Sequence, residues 1–228
     1  MTELWQGLGK AIQLIITLDP EVMEVAGRSL SIAVTSCGIS SLICLPLGSL
    51  IHFNRFPGKR LLINLIQTLY SVPTVAIGLF VFVFISRAGP LGELGLMFTP
   101  AAIVMGQVLL VTPVILGLII SALSGVDKAV SETAISLGAS SFQTATIIVK
   151  EVRYAILTAV IMGFGRAISE VGLSLMVGGN IRGFTRTITT AISLETSKGD
   201  IELSIALGII LISLALLINL ILNRLQQR

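Results

Sequence analysis

Residues 99–124 read TPAAIVMGQVLLVTPVILGLIISALS and contain no Asp, Glu, Lys or Arg. An α-helix rises about 1.5 Å per residue and the hydrocarbon core of a bilayer is about 30 Å thick, so a helix of this length crosses a membrane. Apolar blocks this long exceed what a soluble core requires. The stretch therefore predicts a transmembrane helix, and it decides the fold class of the chain.

Four further stretches on either side are equally apolar: residues 29–52, 61–86, 154–180 and 203–223. Charged residues make up 12% of the 228 residues, hydrophobic residues 54%, and the mean hydropathy is +0.98. Soluble domains carry about 25% charged residues. We expect an all-α membrane protein with five transmembrane helices, in which residues 26–224 form the transmembrane domain and residues 225–228 a cytoplasmic tail.

Residues 1–25 differ from these stretches, because their apolar side chains recur at helical spacing. These side chains belong to Leu4, Trp5, Leu8, Ile12, Ile15 and Ile16. The segment has an acidic residue near its start and no small-residue cleavage pattern, unlike a signal peptide. We expect an amphipathic helix that lies in the membrane interface.

The connections between the spans carry the charge that orients the chain. With five alternating spans, one side holds eight Lys and Arg residues, and the opposite side holds six together with most of the acids. Cytoplasmic loops are enriched in Lys and Arg. The N-terminus is therefore predicted outside and the C-terminus in the cytoplasm.

The third connection, residues 125–153, is far longer than the first and contains VSETAISLGASSF at residues 130–142. Asp127 or Ser131 can cap a short helix whose first turn contains Glu132, and Gly138 can end it in a left-handed turn. The apolar residues Ala134, Ile135, Leu137 and Phe142 would be poorly buried on an isolated loop. They favour a docking surface for a soluble partner; a loop helix folded back on its own bundle is the alternative.

Span four is exceptional because it contains Arg166 and Glu170. On one continuous helix these residues lie four apart and can pair. Charged side chains within a transmembrane span should face the bundle interior, a second subunit or a water-filled route. The pair is either a static ion pair that pins the helix or a part of the route, to which Gly172 and Ser174 are also assigned.

Beyond span four, GGNIRGFTR at residues 178–186 combines two glycines with Arg182 and Arg186. Arginine offers forked donors to oxyanions and carboxylates. We assign Asn180, Arg182 and Arg186 to an outer gate or to the contact with a binding protein. Arginines that anchor the chain at lipid headgroups are the alternative.

Several chemistries lack the residues they need. The chain has no G-x4-G-K-[ST] phosphate loop, so any ATP hydrolysis must occur on another chain. Its single histidine, His52, lies at a span end, and no cluster of ligands predicts a metal site. Cys37 and Cys44 lie two turns apart on one helix face and cannot form a disulfide. The few, scattered basic residues do not favour nucleic-acid binding.

The third connection resembles the E-A-A-x3-G-x9-I-x-L-P loop of ABC importer permeases, since Glu132, Ala134, Gly138 and Ile148 match it in spacing. Thr133 replaces the first alanine, and Lys150 and Glu151 replace the Leu-Pro pair. GRAISEVG at 165–172, MVGGNIRGFTR at 176–186, TTAISLETSKG at 189–199 and YSVPTVAIG at 70–78 are similar to tungstate permeases of the molybdate, sulfate and tungstate importer group.

The resemblance implies a prokaryotic cytoplasmic-membrane homodimer served by two ABC ATPase subunits and an extracytoplasmic oxyanion-binding protein. It implies that Glu132, Thr133, Ala134, Gly138 and Ala139 form a cytoplasmic coupling helix and its turn, held in a groove of the ATPase. No cofactor is expected on this chain, because ATP and Mg²⁺ belong to the ATPase. A molybdate or sulfate permease, an ion-coupled secondary carrier using Glu170 and a non-transporting scaffold remain the alternatives.

Overall fold

The computed structural model describes residues 2–226 and is helical throughout, with no β-strand in that range. Of the predicted tail, Gln227 and Arg228 lie outside the described residues. The helices are α1 Thr2–Ile16, α2 Pro20–Phe53, α3 Lys59–Thr68, α4 Thr74–Ile85, α5 Pro100–Ser124, α6 Lys128–Ser136, α7 Ser141–Glu151, α8 Arg153–Ile168, α9 Gly172–Gly178, α10 Ile188–Lys198 and α11 Ile201–Gln226.

Three helices, α2, α5 and α11, are long and apolar enough to cross a membrane. The count becomes five if each of two bent helix pairs crosses as one span. Helix α5 begins where the sequence suggests, because Pro100 occupies its first turn and the Thr99 hydroxyl accepts a hydrogen bond from Ala102 N at 3.3 Å. Pro113 lies inside α5 without ending it.

The helix predicted over residues 61–86 is not continuous. Helix α3 ends at Thr68, a 3₁₀ turn covers Leu69–Ser71, and α4 begins at Thr74 after a bend of 100°. Pro73 accounts for this break, because proline lacks an N–H and disfavours helical geometry in the residue before it. Val72 accordingly has an extended backbone with a ψ of 129°.

The prediction of one continuous helix over residues 154–180 is wrong. Helix α8 ends at Ile168 and α9 begins at Gly172, with a bend of 61° between them. The second half of each broken span packs on the other. A Cβ placed on Gly78 of α4 would lie 3.1 Å from Leu173 Cα of α9, so a larger residue there would require the two helices to separate slightly.

Three apolar cores form in the described residues, and two of them pack against opposite halves of α5. One surrounds the second half of α5 and takes Ile66 from α3 and Phe164 from α8. The other surrounds the first half of α5 and takes Val81 from α4 and Val177 from α9. Cys37 and Cys44 are both buried in the first core and both free, as their shared helix face predicts.

Helix α1 packs its small residues against α11, where Gly7 lies against Ile205 and Ala11 is buried. The opposite face keeps its apolar side chains exposed: Trp5, Leu8, Ile12, Ile15 and Ile16. The predicted amphipathic helix is thus present, with the described part of its apolar stripe facing away from the bundle.

Candidate functional site

The connection between α5 and α8 folds into a helical elbow made of α6, a tight turn and α7. Asp127, rather than Ser131, caps α6, because its Oδ1 accepts a hydrogen bond from Ala129 N at 2.9 Å. The turn contains Gly138 with a φ of +86°, as predicted. Ser140 and Gln143 then form a capping box that starts α7. Glu132 lies beyond the first turn of α6, which contains no acidic residue, so that part of the prediction is wrong.

The elbow presents its large apolar side chains outward. Leu137 is 83% exposed and Phe142 82% exposed, and Ile135 is also exposed. Glu132 and Thr133 are exposed beside them, whereas Ala134 is buried. A groove of about 560 Å³ runs along this surface, lined by Leu137, Gly138, Ala139, Phe142, Gln143, Thr146, Ile147 and Lys150. These side chains do not fold back on their own bundle, so the geometry favours a docking surface for another molecule.

The elbow is joined directly to the broken fourth span. Helix α7 ends at Glu151 and α8 begins at Arg153, so Val152 alone lies between them. Thr144 and Ile148 of α7 are buried, and Ile148 belongs to the core that also contains Phe164 of α8. The elbow is therefore connected to α8 both through the chain and through side-chain packing.

Arg166 and Glu170 do not form the predicted ion pair, although the structure describes both residues. The prediction assumed one continuous helix, whereas α8 ends between them at Ile168. Arg166 is exposed and Glu170 is 6% exposed. The Glu170 carboxylate instead turns forward, where its Oε1 accepts a hydrogen bond from Leu173 N at 2.8 Å and caps α9.

Two residues that the sequence analysis missed hold the break from neighbouring helices. Gln107 of α5 donates from Nε2 to the Ala167 carbonyl at 3.0 Å, and Thr189 of α10 donates to the Glu170 carbonyl at 2.8 Å. Gln107 carries the only amide side chain in residues 99–124, which could have identified it. Thr189 gives no comparable signal, because it lies in a run rich in threonine and serine.

Gly172 and Ser174, assigned to the route with Arg166 and Glu170, lie at the start of α9. A Cβ on Gly172 would be 3.0 Å from Val75 Cγ2, so this glycine allows α9 to approach α4 closely. The Ser174 side chain is 1% exposed, and its Oγ has no hydrogen-bond partner. The structure thus brings Glu170, Gly172 and Ser174 together at the break and leaves Arg166 on the surface of α8.

The turn after α9 is folded by unusual backbone geometry and closed by ion pairs. Gly179 has a φ of +71° and Asn180 of +51°, and the Asn180 side chain donates to the Thr190 carbonyl at 3.3 Å. Arg182 and Arg186 both bind Glu21 of α2, at 2.5 Å and 3.5 Å. The hydrogen bond and negative charge of Glu21 raise the pKa of Arg182. We call residues 179–186 the arginine turn.

The arginine turn is also held by a second residue of α2. Arg28 of α2 donates from Nη1 to the Arg186 carbonyl at 3.0 Å and pairs with Glu24. The sequence suggested that these arginines meet an oxyanion, a docked protein or lipid headgroups; in the structure their acidic partner is Glu21 of the same chain. Glu21 gives little signal in the sequence, because it lies 161 positions from Arg182.

A wide apolar groove lies elsewhere in the described part of the chain. It is a groove of about 770 Å³ between α2, α4 and α5, and apolar side chains dominate its lining, including Ile32, Phe80, Phe84 and Met105. A lining of this kind suits acyl chains or another helix and offers little to an oxyanion. It is not part of the candidate site.

Two solved ABC transporters contain a chain with a similar fold. The fold matches a bacterial alginate ABC transporter with a TM-score of 0.78 at 17% identity, covering 100% of this chain and 87% of that chain. It matches the MetNI methionine ABC transporter with a TM-score of 0.72 at 18% identity, covering 94% and 97%.

The family model for "binding-protein-dependent transport system inner membrane component" matches residues 44–228, and the chain belongs to this family. It is 37% identical to the tungstate uptake system permease protein TupB of Peptoclostridium acidaminophilum, over 100% of both chains. The corresponding protein of Campylobacter jejuni is 36% identical over 98% of this chain and 94% of that protein. The sulfate transport system permease protein CysW of Escherichia coli K12 is 28% identical over 77% of this chain and 63% of that protein. The resemblance found in the sequence is confirmed.

Proposed function

We propose that this chain is the membrane subunit through which an ATP-driven importer carries tungstate into the cell. The exposed elbow between α5 and α8 is the observation that supports it most directly. Its exposed apolar surface is typical of a protein–protein interface. Helix α8 follows the elbow and ends at the break beside Glu170. An ATPase that grips the elbow can therefore move the intramembrane part of the permease.

In the proposed assembly two copies of this chain form the route, and each elbow docks one ATPase subunit. Glu132, Thr133, Ala134, Gly138 and Ala139 form the coupling contact. Each bent helix pair crosses the membrane as one span, so the chain has five crossings with its N-terminus outside. This topology puts the elbow and the C-terminus of α11 on the cytoplasmic side, together with the larger share of basic residues.

The outer side of the assembly contains the arginine turn. Asn180, Arg182 and Arg186 serve there as an outer gate or as the contact with the oxyanion-binding protein. Arg182 is suited to this role because its side chain is 72% exposed even while it binds Glu21. Arg166, which is exposed on α8, lines the route, whereas Glu170, Gly172 and Ser174 shape its broken segment.

Tungstate is preferred over molybdate and sulfate because two relatives named for tungstate uptake are more similar and cover more of the chain than the sulfate permease does. The three anions share a tetrahedral shape and a double negative charge, so arginine chemistry does not separate them. In such an importer the binding protein supplies most of the selectivity.

The test is to purify the chain with the products of its neighbouring reading frames and to reconstitute the complex in liposomes. We expect an ATPase to co-purify in equal amount, and ATP hydrolysis to rise with loaded binding protein and tungstate. Stronger stimulation by molybdate or sulfate would identify that anion as the substrate. Uptake in vesicles without any ATPase would instead indicate a secondary carrier and contradict the proposal.

A further inference from the structure

The break in span four brings several polar groups together inside the bundle. The Ala167 carbonyl at the end of α8 accepts from Glu170 N at 3.2 Å and from Gln107 Nε2 at 3.0 Å. The second bond crosses from α5, so Gln107 fixes where α8 ends relative to the central helix. In the bilayer core a freed backbone group needs such a partner.

Only one of the two polar atoms of the Gln107 amide has a hydrogen-bond partner in this arrangement. Its side chain is 3% exposed and its Oε1 has no hydrogen-bond partner. The hydroxyl of Ser174, at the start of α9, is equally buried and equally without a partner. A buried polar atom without a partner is unfavourable and uncommon in a native structure. Two such atoms therefore require an explanation.

The two unpartnered atoms are chemically complementary and lie on helices that touch. An amide oxygen accepts and a hydroxyl donates. Gly106, the residue before Gln107, packs against Leu173, the residue before Ser174; a Cβ on Gly106 would lie 2.6 Å from Leu173 Cδ2. Gln107 and Ser174 are thus each one residue from this contact between α5 and α9, and Ile103 and Gly178, one helical turn away from them, also touch. A shift of α9 along α5 would therefore change the distance between the two side chains.

We propose that Gln107 is a positioning residue for transport that alternates between two hydrogen bonds. In the conformation described here its amide nitrogen binds the end of α8. When the elbow displaces α8, Gln107 releases the Ala167 carbonyl and its amide oxygen accepts the Ser174 hydroxyl of α9. This exchange couples the elbow side of the break to its outer side, and it rests on the proposed function as an ATP-driven permease.

The test compares uptake per ATP hydrolysed in the reconstituted complex for the unaltered chain, Gln107→Met, Ser174→Ala and the double variant. We expect each single variant to lower tungstate uptake per ATP about tenfold, the size of one lost hydrogen bond. The double variant should lose no more than either single variant, because both side chains act in one step.

Ser174→Ala separates this role from a merely structural one. Its hydroxyl is buried without a partner in the described conformation, so its removal should not lower the melting temperature. Uptake should nevertheless fall, and this result stands even if Gln107→Met folds poorly. Gln13→Leu, which alters an exposed glutamine on α1, is the matched control and should behave as the unaltered chain.

Normal uptake per ATP in Ser174→Ala would overturn the proposal, as would losses that multiply in the double variant. An unaltered complex that neither binds an ATPase nor responds to tungstate would instead contradict the proposed function and, with it, the exchange. The first two results leave the permease assignment intact, so the two failures are distinguishable.

Discussion

The elbow and the arginine turn lie at opposite ends of the broken fourth span. The elbow leaves its apolar side chains exposed, whereas the arginine turn pairs its charges within the chain. The elbow leaves Leu137 and Phe142 more than four-fifths exposed, with no apolar cover from its own bundle. The arginine turn directs both of its guanidinium groups to Glu21 of the same chain and is anchored by Arg28.

This contrast distinguishes a surface that is stabilised by a bound partner from one that is stabilised by ion pairs within the chain. Exposed large apolar groups are unfavourable in water, so the elbow gains stability when another protein covers it. The ion pairs of the arginine turn are already formed, so a docked protein or an anion must compete with Glu21. The elbow is thus expected to bind constitutively and the arginine turn reversibly.

The largest expected effect is on the elbow. Phe142→Asp places a charge at the centre of the exposed apolar surface and should weaken ATPase binding by about 30-fold or more, as loss of an interface hot spot does. The measurement is the amount of ATPase that co-purifies with the permease. Leu94→Asp, at a leucine that is 63% exposed between α4 and α5, is the matched control. Equal recovery of the ATPase from both variants would remove the distinction between the two surfaces.

A smaller effect is expected from Gly138→Ala. The φ of +86° disfavours a Cβ by about 1 kcal/mol, and no atom lies within 4 Å of that position, so backbone strain is the only penalty. ATPase affinity should fall about fivefold, measured by titration with purified ATPase. Gly27→Ala, also without a neighbour within 4 Å but inside α2, should leave affinity unchanged. If both variants bind alike, the geometry of the turn does not govern docking.

On the other side, Glu21→Gln should lower the melting temperature by about 2 °C, since it removes the charge that holds both arginines. The loss should shrink at high salt, where the ion pairs are screened in the unaltered chain too. Melting curves at low and high ionic strength measure both effects. Glu93→Gln, which alters an exposed acid between α4 and α5, is the control. If the two variants have the same melting temperature, the stability of the arginine turn does not depend on Glu21.

The smallest effect is expected from Arg182→Gln. Its side chain is 72% exposed and that of Arg186 is 15% exposed, so the two ion pairs with the same carboxylate differ in screening. Arg182→Gln should change the melting temperature by less than about 1 °C, and Arg186→Gln should lower it more. Equal shifts would show that burial does not rank these two pairs.

Much of the elbow was predictable because its signals are local. Asp127 as a cap, Gly138 as a left-handed turn and the outward apolar residues all follow from neighbours within a few positions. The break between α8 and α9 was not predicted, because an apolar stretch has the same composition whether its helix is straight or bent. Pro73 marked the first break in the sequence, yet Pro46 and Pro113 lie inside unbroken helices, so proline alone does not identify a break.

The sequence by itself determined that the chain belongs in a membrane, that it is helical and that one long connection forms an exposed helical elbow, because hydropathy and capping act over short distances. Tertiary structure alone decided that Glu170 caps α9 rather than pairing with Arg166, that Gln107 holds the end of α8 and that Glu21 binds both arginines. These contacts join residues on different helices or depend on where a helix bends. Which polar groups meet is therefore set by how the helices pack.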